Sequence, residues 1–342
     1  MYIRKKQYLC DQMQKEKWIL SGLAVLLVVL FVVDVCSGSR FIAAWRYVFG
    51  GWDADSVDAR ILMNIRLPKA LTAIVAGGAL SVSGLMMQTL FRNPLAGPYI
   101  LGVSSGAGLG VALVTMCGTM LGIPFLGGRF GIALAAIIGA TLVLMTVLLA
   151  ARKVQSNVSL LIIGMMFGSI AGAFINLIQN FANPDSLKLF IVWTFGSLTS
   201  VGWSELALLT AICVLAGVLC MYLVKPLNGL LLGENYARGL GIQVERTRFL
   251  IVLATGLLAG SVSAFCGPIA FIGVAVPHIA RGVLQTSNHR STLPAAVLIG
   301  ANILLVCDLL TSLGTYPLPI SSVSALFGAP LIIWIILRKR VS

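Results

Sequence analysis

Charged side chains are scarce in this sequence of 342 residues. Asp, Glu, Lys and Arg make up only 10% of it, whereas a soluble domain of ordinary composition carries about 25%. Apolar residues take their place, because 58% of the chain is hydrophobic and the mean hydropathy is +0.99. This composition excludes an ordinary soluble domain and predicts a membrane protein.

Residues that carry catalysis or bind metals are also few. Seven cysteines occur without a C-x-x-C pair, so neither a disulfide framework nor a zinc site is indicated. The two histidines, His278 and His289, match no catalytic motif and are interpreted as structural or interfacial residues. No lysine follows a glycine, so the ATP-binding P-loop is absent. The sequence therefore predicts no enzyme and no metal site, and any ATP-driven step needs another polypeptide.

The excess of positive charge has a topological explanation. The net charge of +13 could indicate nucleic-acid binding, but no soluble segment carries a basic stripe interleaved with aromatic residues. Lys and Arg instead lie between apolar blocks, where they fix the orientation of membrane spans. Membrane lipid, and not nucleic acid, is the expected surrounding.

Apolar blocks of about 18 to 25 residues, the length that crosses a hydrocarbon core of ~30 Å, recur along the chain. They fall near 18–36, 66–91, 99–121, 130–151, 157–181, 204–224, 247–265, 269–285, 293–313 and 320–337. They predict an all-α polytopic protein with about ten transmembrane helices: a tail at 1–17 and a single membrane domain at 18–340. A cleaved signal peptide is the alternative for the first block, and the block at 188–199 is expected to lie at an interface.

The distribution of basic residues predicts the orientation. Ten spans place both termini on one side, and seventeen of the 24 Lys and Arg residues fall on that side, leaving seven on the other. The positive-inside rule therefore predicts cytoplasmic termini. "GPYILGV" from Gly97 and "GPIAFIGV" from Gly267 then follow spans of opposite direction, as an inverted repeat predicts.

Two features invite a functional interpretation. Asp308 lies inside a predicted span, where an acid costs about 2.5–3.5 kcal/mol; it serves either interhelical hydrogen bonding or an ion-coupled secondary carrier. The cytoplasmic loop 225–248 contains a short predicted helix, Glu234 to Leu240, between Gly233 and a Gly241 free to adopt positive φ. The leucines at 230–232 suggest that this loop contacts a partner.

Five stretches carry a family resemblance. They are "RLPKALTAIVAGGALSVSGLMMQTLFRNPLAGPYILGVSSGAGLG", "LLLGENYARGLGI", "GPIAFIGVAVPHIARG", "NHRSTLPAAVLIGA" and "PLPISSVSALFGAPLIIWIILRKR". In this order they resemble the FecCD-type permeases, the transmembrane subunits of bacterial ABC importers for ferric siderophores, haem and vitamin B12. The resemblance extends from Arg66 to Arg340.

The resemblance implies an assembly in the bacterial inner membrane. It consists of a second copy of this chain, two cytoplasmic ABC ATPases that use ATP and Mg²⁺, and an external substrate-binding protein; this chain binds no cofactor. Segment 225–248 would be the ATPase-coupling loop, with Gly233, Glu234, Ala237, Arg238, Leu240 and Gly241 as its site residues. Arg66 and Lys69 of "RLPK" would dock the binding protein. Ser312 stands where the family has a further Arg.

The resemblance also implies a gated path for a bulky metal chelate. Asn93 and Leu95 match one cytoplasmic constriction; Ser156 and Asn157 match a second, in which Asn157 stands where the family has Thr. Small residues at Gly102, Gly106 and Gly110 predict a close helix contact beside the first constriction. Asn176, Gln179 and Asn180 either face the path or bond between helices. Ferric siderophore is the first expected substrate, followed by vitamin B12 and haem.

Overall fold

The computed structural model describes residues 2–38, 56–118, 128–154, 156–312 and 318–339. All regular secondary structure in these ranges is helical, which confirms the all-α prediction. In chain order the helices are α1 Tyr2–Cys36, α2 Val57–Phe91, α3 Val103–Cys117, α4 Arg129–Lys153, α5 Asn157–Phe181, α6 Pro184–Thr194, α7 Trp203–Tyr222, α8 Val224–Leu231, α9 Glu234–Gly239, α10 Val244–Cys266, α11 Ile272–Leu284, α12 His289–Thr311 and α13 Ile320–Lys339.

Many of these helices are long and apolar enough to cross a membrane. Among the described residues there are seven: α1 from Gln14, α2, α4, α5, α7, α10 and α12. The shorter apolar helices α3, α11 and α13 occupy the other predicted spans, and the expected end of the α3 span near 121 lies outside the described residues. α1 runs unbroken through the predicted boundary at 17 and 18. The prediction of a multi-pass membrane protein is confirmed. The number of ten crossings stays a prediction.

Helix α2 forms the centre of the bundle. Its apolar window is 83% buried, against 17% for α1 and α5, and it packs against α10, α11 and α12. Backbone meets backbone where Gly77 faces Gly300 of α12 and where Gly84 faces Gly273 of α11. Lipid tails are as apolar as leucine, so membrane helices associate through such close contacts between small residues.

The predicted small-residue contact of α3 is confirmed. Gly106 and Gly110 lie against the carbonyl groups of Gly139 and Ala135 in α4, and Gly102 lies against Gly164 in α5. A side chain at any of these three positions would push the helices apart. The glycines after the first constriction therefore fix α3 between two neighbouring helices.

The two Gly-Pro segments break the helical path and meet each other. The chain leaves α2 at Arg92 with φ of +48° and enters α3 after a short 3₁₀ turn, Pro98–Leu101. The second segment joins α10 to α11, and its Ile269 N donates to Tyr99 Oη at 3.3 Å. Non-helical backbone at membrane depth is tolerated where it is buried in protein. The contact brings the halves of the predicted inverted repeat together; the repeat itself stays a prediction.

Candidate functional site

The segment predicted to couple to an ATPase, residues 225–248, contains α8, α9 and the start of α10. Gly233 turns the chain with φ of +109° before α9 begins at Glu234, and Gly241 follows α9 with φ of +80°. Residues with a Cβ are strained in these conformations. The predicted short helix between two glycines is therefore confirmed, with its end at Gly239.

Only part of α9 faces outward. Arg238 and Leu240 are exposed, as is Tyr236, which the sequence did not single out. Ala237 was expected to contact a partner, but the structure places it in the interior, fully buried. Its small side chain lets α9 pack against α8. Of the leucines at 230–232, Leu230 is also buried. A partner would therefore contact one face of α9.

Glu234, predicted as a partner contact, is also bonded within the chain. Its Oε1 accepts from Asn157 Nδ2 at 2.6 Å and from Arg248 Nη2 at 3.2 Å. The same Asn157 Nδ2 donates to Leu90 O of α2 at 2.8 Å, and Arg248 Nη1 donates to Val154 O at 2.8 Å. The sequence indicated neither pairing. One carboxylate thus connects α9 to the ends of α2, α4 and α5.

A second polar connection joins α8 to the end of α2. Buried His289 begins α12, whereas the sequence placed it in a loop; its Nδ1 lies 2.8 Å from Asn228 Oδ1 of α8. Its Nε2 lies 2.9 Å from Thr89 Oγ1 of α2. The structural role predicted for His289 fits this position. Asn228 was missed because its partners are distant in sequence.

Asn228→Leu is expected to lower the free energy of unfolding by about 1–3 kcal/mol, because it leaves a buried ring nitrogen of His289 without its partner. Asn235→Leu, at an exposed position of α9, is the control and should change it by less than about 0.5 kcal/mol. Thermal unfolding of the purified protein in detergent measures both. Equal stability of the two variants would contradict the assignment.

The first predicted constriction forms a compact turn. Asn93 Oδ1 accepts from Leu95 N at 2.9 Å, which closes a turn of the Asx type. Pro94 O lies 2.8 Å from Nε2 of His278 in α11, and the Leu95 side chain is 46% exposed. Leu95 is thus held at the surface by the turn and by α11.

The residues predicted for the second constriction have different partners. Ser156 caps α5, its Oγ accepting from Ser159 N at 3.5 Å, whereas Asn157 bonds to α2 and α9. The Asn157 carboxamide is therefore bound inside the chain. The constriction itself stays a prediction.

Helix α5 presents a broad exposed surface. Asn176 and Asn180 are exposed and Gln179 is partly exposed, next to exposed Phe174 and Leu177. No other helix of the described chain covers the two asparagines, which favours a path or a second copy over bonding between helices of one chain.

Both cations predicted to dock a binding protein have partners within the chain. Arg66 Nη1 donates to the carbonyl oxygens of Val35 and Cys36 at 3.1 and 2.8 Å, at the C-terminal end of α1. Lys69 Nζ lies 3.0 Å from Asp308 Oδ1 and donates to Ser312 Oγ at 3.1 Å. The Lys69 side chain is only 18% exposed. Much of the charge assigned to docking is therefore used to hold α1, α2 and α12 together.

Asp308 belongs to a buried cluster of charges. Its side chain is 2% exposed, and the carboxyl group of Asp34 in α1 lies within electrostatic reach of Asp308 and Lys69. An acid paired with a lysine between two helices fits the structural interpretation. Nothing in these contacts supports an ion-coupled carrier.

Comparisons with known proteins agree over almost the whole chain. Residues 24–338 match the FecCD transport family. The vitamin B12 import system permease protein BtuC of Klebsiella pneumoniae is 37% identical over 332 residues, 96% of each protein. An uncharacterised ABC transporter permease protein of Bacillus subtilis, YvrB, is 37% identical over 86% of this chain and 84% of its own length. A solved inward-facing metal-chelate type ABC transporter superposes with a TM-score of 0.83 at 30% identity, covering 94% of this chain and 99% of that one.

Proposed function

Because this chain belongs to the FecCD transport family, whose members are ABC importer permeases, we propose that it carries a bulky metal chelate across the bacterial inner membrane. It is a transport subunit and not an enzyme. It contributes the transport path and its gate. ATP hydrolysis on a separate subunit opens the path to one side of the membrane at a time.

The proposed assembly contains two copies of this chain, two cytoplasmic ATPases and an external binding protein. Each copy crosses the membrane ten times with both termini inside, which is supported by the seven long and three shorter apolar helices and by the basic residues on that side. ATP and Mg²⁺ bind to the ATPases, since this sequence has no P-loop. Arg66 and Lys69 mark the end that faces the binding protein, and each also has polar partners within the chain.

The observation that carries the proposal is the outer face of α9. Tyr236, Arg238 and Leu240 project from a short helix that glycines fix at both ends. Beside it lies a groove of about 540 Å³, lined by apolar residues such as Leu240 and Ile242 and by the polar residues Lys225, Gln243, Arg246 and Thr247. An exposed apolar patch rimmed by polar residues marks a protein contact, and here the patch sits on an element bonded to Asn157 of the second predicted constriction.

Several relatives with 36–37% identity are vitamin B12 import permeases. We therefore propose a cobalamin-type corrinoid as the first substrate to test, ahead of the ferric siderophore that the sequence alone placed first. Haem comes third.

Leu240→Asp is expected to weaken ATPase retention at least about tenfold, because a central apolar anchor is worth about 2 kcal/mol or more and each 1.4 kcal/mol is tenfold. The protein is purified from its native membrane together with the proteins that remain bound to it. The amount of P-loop ATPase per permease chain is then measured.

The control is Thr199→Asp, at an exposed position in the turn between α6 and α7, outside the α9 face and outside the predicted spans; it should retain the ATPase. Complexes reconstituted in vesicles with the binding protein are then supplied with cobalamin, ferric siderophore or haem. ATP-dependent uptake of one of them supports the proposal. A parent preparation with no ATPase, even after mild crosslinking, would refute it.

A further inference from the structure

Glu234 holds both predicted constrictions to the coupling segment. On one side, the Asn157 carboxamide bridges Glu234 Oε1 at 2.6 Å and Leu90 O at 2.8 Å, three residues before Asn93. On the other, Arg248 bridges Glu234 at 3.2 Å and Val154 O at 2.8 Å, two residues before Ser156. A displacement of Glu234 therefore reaches Leu90 and Val154 through two hydrogen bonds in series on each side.

One end of this connection is buried and the other is partly exposed. The Arg248 side chain is 1% exposed and the Glu234 side chain 27% exposed, so water competes weakly at the Arg248 end. Hydrogen bonds with an ionised partner are shorter and about twice as strong as neutral ones, and both Glu234 contacts are of this kind. A chain of hydrogen-bonded and ion-paired groups of this kind can carry coupling between distant sites.

A neighbouring ion pair provides the contrast. Arg238 Nη2 lies 2.7 Å from Glu245 Oε1, but these side chains are 53% and 64% exposed. This pair joins α9 to the first turn of α10 and touches neither constriction. Of the two glutamates in this segment, Glu234 is therefore bonded to groups next to the predicted constrictions, whereas Glu245 is bonded only to Arg238 among the described contacts.

We propose that Glu234 is the positioning residue through which the coupling segment moves both constrictions together. The inference rests on the proposed function, because an ATPase has to displace α9. When α9 moves, Asn157 and the end of α2 follow through Oε1, and the end of α4 follows through Arg248. Asn157, itself a residue of the second predicted constriction, is then the link from α9 to the end of α2, which precedes the first one.

The test uses the intact complex with its ATPase and a reporter at the first constriction. Leu95→Cys, at a 46% exposed position, is labelled with a membrane-impermeant maleimide with and without ATP, and labelling of the native cysteines is subtracted. In this parent we expect ATP to change the labelling rate about fivefold or more, the lower end of usual allosteric coupling. Glu234→Ala and Asn157→Ala should each reduce the change to less than about twofold, with ATP hydrolysis retained.

Glu245→Ala is the matched control and should respond to ATP as the parent does. Glu234→Ala leaves Arg248 buried without this acid and can fail to fold, whereas Asn157→Ala keeps the Glu234–Arg248 pair; melting temperatures of both are measured. A parent that responds to ATP, with an Asn157→Ala variant that responds equally, overturns the inference alone. A parent whose labelling ignores ATP overturns the proposed function and the inference with it.

Discussion

Lys69→Met is expected to lower the free energy of unfolding by about 3–5 kcal/mol, the usual cost of removing one partner from a buried ion pair. Lys69 Nζ lies 3.0 Å from an Asp308 carboxylate that is 2% exposed, and the Asp34 carboxyl lies beside both. Without the ammonium, two buried acids face each other at the junction of α1, α2 and α12. Thermal unfolding in detergent measures the loss.

A double variant distinguishes the effect of losing the Lys69 charge from the effect of losing its packing. Replacing both members, Lys69→Met with Asp308→Leu, should return the stability to within about 1.5 kcal/mol of the parent, because apolar side chains of similar volume substitute well for a buried ion pair. A single variant that costs less than about 1 kcal/mol would show that the pair is screened like a surface one. A double variant no better than the single one would show that Lys69 acts through its packing.

The same pair explains why the sequence left Asp308 undecided. A lone acid in a span is expensive, and the local sequence cannot show what compensates it. The compensating Lys69 stands at the start of the second predicted span, and its other contact, Ser312, lies 243 residues away. Only the packing of α2 against α12 brings them together.

The fold was predictable where the signal is local. Blocks of apolar residues located α1, α2, α4, α5, α7, α10 and α12, and the glycines around 233 and 241 located α9, because length and backbone conformation depend on neighbouring residues. The orientation of α9 was not predictable. Ala237 fits a contact surface and a packed interior equally well, and the structure places it in the interior.

The site was predictable only as a set of segments. The family motifs indicated Glu234, Asn157 and Asn93, but not that Asn157 and Glu234, 77 residues apart, bond to each other. Arg248 looked like one of many basic residues in a cytoplasmic loop, and its burial follows from the packing of α10. Pairing between distant polar groups leaves no periodic pattern in a single sequence.

Gly84→Ala is expected to be strongly destabilising, although alanine is the better helix former. The added methyl group would fall on the carbonyl group of Gly273, and backbone, unlike a side chain, cannot rotate away. Overpacking of this kind costs about 1–3 kcal/mol or more, and α2 is 83% buried at the centre of the bundle. Separating α2 from α11 also strains the bond from Gln88 Nε2 to Val274 O, at 3.0 Å, close to the first constriction.

Gly217→Ala in α7 is expected to stabilise the protein, in contrast to Gly84→Ala. Nothing lies within 4 Å of the position that a methyl group would take there, so the variant should gain up to about 1 kcal/mol from the helix preference of alanine alone. Thermal unfolding of both variants under identical conditions measures the contrast, and expression of folded protein should follow the same order. If the two variants melted at the same temperature, direct backbone contact between α2 and α11 would not be what stabilises this packing. The contact between His278 of α11 and Pro94, in the first predicted constriction, would then depend on other helix contacts.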